Sequence, residues 1–437
     1  MFPSSPALRR YLSKAGPVSF VLIAGLVAFA AYACVYAFRK PFTAASFSGL
    51  EVWGIQYKIA LVIAQVAGYA LSKFFGIRFI STLGAEHRAR TLLTLIGFAA
   101  LTLTGFACSS LHWGVFWMFL NGIPLGMGWG VIFGYLEGRR FTEALAALLC
   151  INFIVSSGFV KSLGKWLILE HHISEHWMPI FTGMMFLPFL LICVWLLEHL
   201  PAPTEADQAL RNKREAMTAA QRKALFGRYA PGLLLLTAIY LLLTVVRDVR
   251  DNFAVEIWAE LGLGSSAAIL TTAELPIAVL ILLGIGALIL VKNNFKALWI
   301  NHAIFIGGAL LLLTSTYCFQ IGWITPFWWM MLSGTGIFIA YILFNGVIFD
   351  RLLAAFKEQG NVGFLMYFAD AIGYLGSVAV LLWRNFGYME LSWVQFFSTL
   401  CLYSAVMIIV LSIISWRYFR RKSPQTQRRR LSPRQLP

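Results

Sequence analysis

The chain has 437 residues, 59% of them hydrophobic and only 12% charged, with a formal net charge of +16. Its mean hydropathy is +0.75. Ordinary soluble domains carry about 25% charged residues and less apolar surface, so this composition excludes them and implies a polytopic membrane protein.

The N-terminus carries Arg9, Arg10 and Lys14 ahead of a long apolar run. That order mimics a signal peptide, but the run is too long and leads into Arg39 and Lys40, not into a small-residue cleavage site. It is read as the first span. About twelve apolar windows follow the pattern of membrane helices, near residues 18–42, 55–76, 91–109, 112–135, 143–164, 177–198, 230–252, 266–290, 297–319, 326–349, 362–384 and 393–416.

Charge distribution orients them. Most of the 35 Lys and Arg residues fall in the termini and in alternate loops, with Arg139, Arg140, Lys292, Lys296, Arg351 and Lys357 among them. The exceptions are Arg39, Lys40, Lys58, Lys161, Lys165, Arg247, Arg250 and Arg384. This is the positive-inside pattern of an even number of spans, with both termini cytoplasmic in a plasma (inner) membrane. The basic balance therefore records topology, and no nucleic-acid partner is expected.

The clearest break is the linker at 201–229, with Pro201-Ala202-Pro203 followed by a polar, basic run. It separates an amino-terminal six-helix bundle, 1–200, from a carboxy-terminal one, 230–418, and residues 419–437 form a basic, disordered tail that touches membrane lipid at most. The halves repeat at an offset of about 211 residues. Arg39-Lys40 falls against Arg250-Asp251, Trp117–Gly122 against Trp329–Gly334, Glu137–Arg140 against Asp350-Arg351, and Gln65 near Glu274. A parallel six-plus-six repeat is the pattern of the major facilitator fold, and places a site at the repeat interface. The expected fold is thus an all-α integral membrane protein.

Charges inside such windows are expensive and mark sites or pairs. Arg39 and Lys40 end the first window, and Arg247, Asp248, Arg250 and Asp251 end the seventh. Arginine suits an oxyanion, because its planar fork donates two parallel hydrogen bonds. The plainer readings are snorkelling for Arg39 and an internal Arg247–Asp251 pair. Glu274, deep in the eighth window, is either a proton carrier or the partner of Lys161 or Arg250. Asp370 falls near Lys161 in the repeat register, which suggests a Lys161–Asp370 pair. The glycines between Gly122 and Gly130 read as close helix packing. His171, His172, Glu175 and His176 read as a solvated loop more readily than as a metal site. The six cysteines fall in apolar windows without pair or metal spacing and read as small buried hydrophobes. No nucleophile–base set, paired catalytic carboxylates or nucleotide motif occurs, so neither an enzyme nor a cofactor is expected.

Four stretches resemble the organophosphate:phosphate antiporters of the major facilitator superfamily: Tyr36–Phe42, Gly68–Phe75, Gly126–Trp129 and Gly373–Ser377. They fall on the first, second, fourth and eleventh windows. The resemblance implies that Arg39, Arg247 and Lys73 meet substrate phosphate. The fifth-span histidine of those antiporters has no counterpart, Lys161 standing in that region. The acidic–basic loop motif is degraded at Gly76–Phe79, and the doubled Arg-Asp pattern is foreign to those antiporters. The chain also resembles an uncharacterised bacterial family within the superfamily. The expected function is secondary transport of a small anionic organic solute, phosphorylated solutes included, by a monomer. The alternative is a transporter-like receptor that senses such a solute.

Overall fold

A computed structural model describes residues 5–81, 83–137, 139, 142–203, 219–345, 347–358, 362–387 and 391–423. Most of the expected linker and the tail beyond residue 423 lie outside these residues. Helices dominate, because a backbone in lipid has to satisfy its own hydrogen bonds. A short helix α1, Pro6–Lys14, precedes the first span, α2, Pro17–Tyr36. The next spans are α3, Tyr57–Ser81; α4, Arg88–Cys108; and α5, Leu111–Leu136. The fifth is broken: α6, Thr142–Cys150, and α7, Val155–His171, flank a 3₁₀ turn. The sixth is α8, Met178–Glu198.

In the second half, α9, Ala219–Asn252, runs 34 residues and is followed by the short α10, Ala254–Glu260. The eighth span is again broken, into α11, Ile269–Thr272, and α12, Glu274–Ile289. Then come α13, Asn294–Gln320; α14, Pro326–Phe344; the short α15, Ile348–Phe356; α16, Val362–Gly387; and α17, Trp393–Lys422. Asp350 and Arg351, read from sequence as the end of the tenth span, sit on α15 instead. Among the described residues, 11 helices are long and apolar enough to cross a membrane. The expected twelfth span corresponds to α3, which is 25 residues long. The chain is an all-α, multi-pass membrane protein.

It divides into two compact units. The first comprises Met1–Asn212, Asp248–Leu282 and Ser377–Phe396; the second comprises Lys213–Arg247, Leu283–Gly376 and Phe397–Pro437. Inside the first, α3 and α5 approach backbone to backbone. A Cβ on Gly122 would stand 2.2 Å from the Gln65 carbonyl oxygen, and one on Gly68 2.0 Å from that of Phe119. Association in lipid depends on close packing, and small residues permit it. Residues 37–56 close one end of this unit with a 3₁₀ turn, Pro41–Ala44, and a two-stranded hairpin, β1 Glu51–Val52 and β2 Ile55–Gln56. This is the loop end below. Cys34, Cys150, Cys193 and Cys401 are buried as expected, whereas Cys108 is exposed.

Candidate functional site

In the first unit the end of α2 is held by a polar network. Gln65 donates to the Arg39 carbonyl at 3.0 Å and to Asn121 Oδ1 at 2.8 Å, and Asn121 in turn donates to Thr102 Oγ1 at 3.1 Å. Gln65 and Asn121 are both buried, and a buried amide keeps its position only when such bonds are made. The Arg39 guanidinium then lies 4.0 Å from the centre of the Tyr69 ring and 5.9 Å from that of Tyr36. Lys73, one turn on from Tyr69 along α3, places its ammonium 5.1 Å from the same ring. Both cations are half-buried, and an aromatic face offers them cation–π attraction.

Lys40 points elsewhere. Its ammonium meets Asp251 at 2.5 Å and Asn252 Oδ1 at 2.8 Å. Lys161 closes on the same carboxylate at 2.6 Å, with Ser157 donating to it at 2.5 Å. The Lys161–Asp370 pair expected from repeat register is therefore not the one formed, because the last turn of α9 brings Asp251 to Lys161. The same contacts replace the internal Arg247–Asp251 pair. The preceding residue, Arg250, donates to Glu274 at 2.6 Å. Gly158 lets the eighth span come this close, since a Cβ there would meet the Leu270 carbonyl oxygen at 2.3 Å. Of the two readings of Glu274, the carboxylate paired with Arg250 is the one observed. Asp248 accepts a hydrogen bond from Ser377 at 2.7 Å.

In the second unit, Arg247 lies 4.3 Å from the centre of the Tyr341 ring and donates to its hydroxyl. Tyr240 stacks on Tyr341 at 5.3 Å and 17°, its hydroxyl oxygen lies 3.1 Å from that of Tyr341, and it donates its proton to Asp370. Arginine, two phenols and a carboxylate thus form one continuous hydrogen-bonded chain. Nothing in the sequence marked Tyr240 or Tyr341, which lie among other aromatics in apolar windows.

Two further clusters escaped the sequence. Lys58 meets Glu256 at 2.5 Å and donates to the Thr43 carbonyl at 2.8 Å. Both residues sit at window edges, where charge looks like an ordinary loop. The stretch read as a solvated loop is packed: Glu175 accepts from the backbone amides of Ser46 and Phe47 at 3.0 and 2.8 Å. His176 stacks on Phe106 at 5.4 Å and on Tyr57 at 6.0 Å. Burial holds its imidazole below the usual 6.5, with the Glu175 charge opposing. Among the described residues, no cluster of three or more His, Cys, Asp or Glu is placed to hold a metal ion.

The helix order and the matched architectures define the class as the major facilitator fold. A D-xylose–proton symporter superposes with a TM-score of 0.64 at 13% identity, covering 94% of this chain and 98% of that one. The proton:xylose symporter XylE bound to 6-bromo-6-deoxy-D-glucose gives 0.58 at 15%, covering 92% and 96%. The nucleoside transporter NupG gives 0.59 at 14%, covering 91% and 99%. Within that class the chain belongs to DUF5690, a family of unknown function, whose model matches residues 41–422. No curated protein matches the chain.

Proposed function

We propose that the chain is a secondary transporter of a small anionic organic solute, phosphorylated solutes included, working by alternating access. The observation that carries this reading is the convergence of Arg39 and Lys73 on Tyr69, half-buried and 4.0 and 5.1 Å from its ring. A guanidinium and an ammonium on one aromatic platform suit an oxyanion, which accepts the fork from one and a point charge from the other. Arg247, held against Tyr341 and joined through the Tyr341 and Tyr240 hydroxyls to Asp370, is the matching cation of the second unit. The sugar and nucleoside named for the three similar structures are uncharged, and these cations are the ground for a different solute class. The organophosphate antiporters supply the nearest chemistry, with Arg39, Lys73 and Arg247 on the phosphate. Lys40 and Arg250 leave the substrate set, because their charge is spent on Asp251 and Glu274. Both termini are cytoplasmic in this reading, in a plasma membrane.

The test is uptake into proteoliposomes of labelled phosphate, sugar phosphates, small carboxylates and D-xylose, with and without a pH gradient. Uptake confined to the anions supports the proposal. Uptake of xylose alone, or of nothing in the panel, contradicts it.

A further inference from the structure

The hydrogen-bonded chain of the second unit ends on a buried carboxylate. Asp370 is 7% exposed, and Tyr240 and Tyr341 are 2% each. Two glycines of α16 bring it to α9. A Cβ on Gly373 would stand 2.9 Å from Thr244 Oγ1, and one on Gly376 2.9 Å from Leu241 Cγ. Asp370, about one turn before Gly373, is thereby set beside Tyr240.

The chain has a direction. A phenol carries a single proton, and that of Tyr240 goes to Asp370. The 3.1 Å contact between the two hydroxyls is therefore made by the Tyr341 proton, while the Tyr341 oxygen accepts from Arg247. With Asp370 ionised, every proton in the row points towards the carboxylate and the guanidinium meets an oxygen lone pair. The titratable and charged groups that face Tyr240 are Asp370 and Tyr374 from α16, Tyr341 from α14 and Arg247 from its own helix.

Protonation of Asp370 would reverse the row. A proton arriving at the Tyr341 oxygen sends that residue's own proton to Tyr240, and the Tyr240 proton passes to the carboxylate. One proton enters, one carboxylate becomes an acid, and both phenols stay neutral. The acid then donates to Tyr240 and Tyr240 to Tyr341, so the Tyr341 proton turns out beside Arg247. A guanidinium offers it no acceptor. An oxyanion seated on Arg247 does, and it meets a cation no longer balanced by the carboxylate at the far end of the row.

We propose that Asp370 is the proton-binding group of the transporter, and that Tyr240 and Tyr341 carry its state to Arg247, so that a proton and the anion are taken up together. The proposal rests on the anion-transport reading above and adds the coupling ion to it. Such coupling is reciprocal, each of the two ligands favouring the other by the same factor.

The test is uptake of labelled phosphate and labelled sugar phosphates into proteoliposomes, each variant set against wild type at the same pH so that titration of the solute cancels. Asp370→Asn carries no charge and can donate to Tyr240, which holds the row in its anion-binding direction. At pH 8 its apparent affinity should exceed that of wild type about fivefold or more, and the advantage should shrink as pH falls. Accumulation driven by an inward proton gradient should vanish while solute exchange continues. Tyr240→Phe keeps the stack on Tyr341 but cuts the row, and should also lose accumulation. If Asp370→Asn accumulates solute as wild type does, or binds it more weakly at both pH values with a lowered melting temperature, Asp370 is not the proton site and anion transport stands. Should Asp370→Asn not fold, Tyr240→Phe decides, and undiminished accumulation overturns the proposal. If wild type takes up none of these anions, the transport reading falls and the proposal with it.

Discussion

Arg250 donates to Glu274 at 2.6 Å, tying the end of the seventh span to the eighth within one compact unit. Arg250 is 3% exposed, so this is a buried pair in a setting where either charge alone would be expensive. Glu274 thus stands in the framework as the partner of a buried cation.

Glu274→Gln should deprive Arg250 of the carboxylate it pairs with. The expected cost is about 3–5 kcal/mol, seen as a lowered melting temperature and loss of both solute exchange and gradient-driven accumulation. Arg250→Gln added to Glu274→Gln should recover much of the stability, because no buried charge is then left over. Selective loss of accumulation, with exchange and melting temperature intact, would restore Glu274 as the coupling group.

Asp251 serves two ammonium groups, Lys40 and Lys161. Removing the carboxylate leaves two buried cations facing each other, whereas Lys161→Met leaves a balanced Lys40–Asp251 pair. Asp251→Asn should thus be the more damaging, by about 2 kcal/mol or more in chemical or thermal unfolding. Equal effects would show that one of the two ion pairs contributes nothing.

The spans were legible in the sequence because a bilayer demands about twenty apolar residues for each crossing. The charges that matter were legible for a related reason: Arg39, Lys161, Asp251 and Glu274 stand out against apolar windows. Their partners were not. Lys161 meets Asp251 across 90 residues of sequence, and an approximate repeat register pointed to Asp370 instead. Glu175 reads as solvated loop because the donors that hold it, the amides of residues 46 and 47, lie some 130 residues away and leave no trace in local composition. Tyr240 and Tyr341 act through hydroxyls whose use depends on neighbours from other helices.

His176 makes the loop end sensitive to acid. Its folded-state value lies below the usual 6.5, so the packed ring is neutral near pH 7 while an unpacked ring takes up a proton more readily. The stability it contributes is present above about pH 6.5 and is lost as pH falls towards the folded value. Melting temperature should drop between pH 7.5 and 5, and His176→Phe, which keeps the stack on Tyr57 and Phe106, should flatten that part of the profile. An unchanged pH profile in His176→Phe would assign the acid sensitivity to other groups.

The contact between α3 and α5 should tolerate no side chain at Gly122, where a Cβ would come within 2.2 Å of the Gln65 carbonyl oxygen. Gly122→Val is expected to abolish folded expression, and Gly286→Val, with open space around it, to be neutral or nearly so. Normal yield and melting behaviour of Gly122→Val would show that the two helices separate more easily than their packing implies.

The central claim is that Arg39 is an oxyanion ligand held on Tyr69, and Arg39→Lys tests it most directly. Lysine keeps the charge but loses the fork. The expected result is at least a tenfold loss of apparent affinity in anion uptake into proteoliposomes, with expression and melting temperature unchanged, since a bidentate charged bond is worth about 1.5–3 kcal/mol. Uptake at the wild-type affinity in Arg39→Lys, with Arg39→Ala failing only through misfolding, would reduce Arg39 to an interfacial anchor and contradict the account.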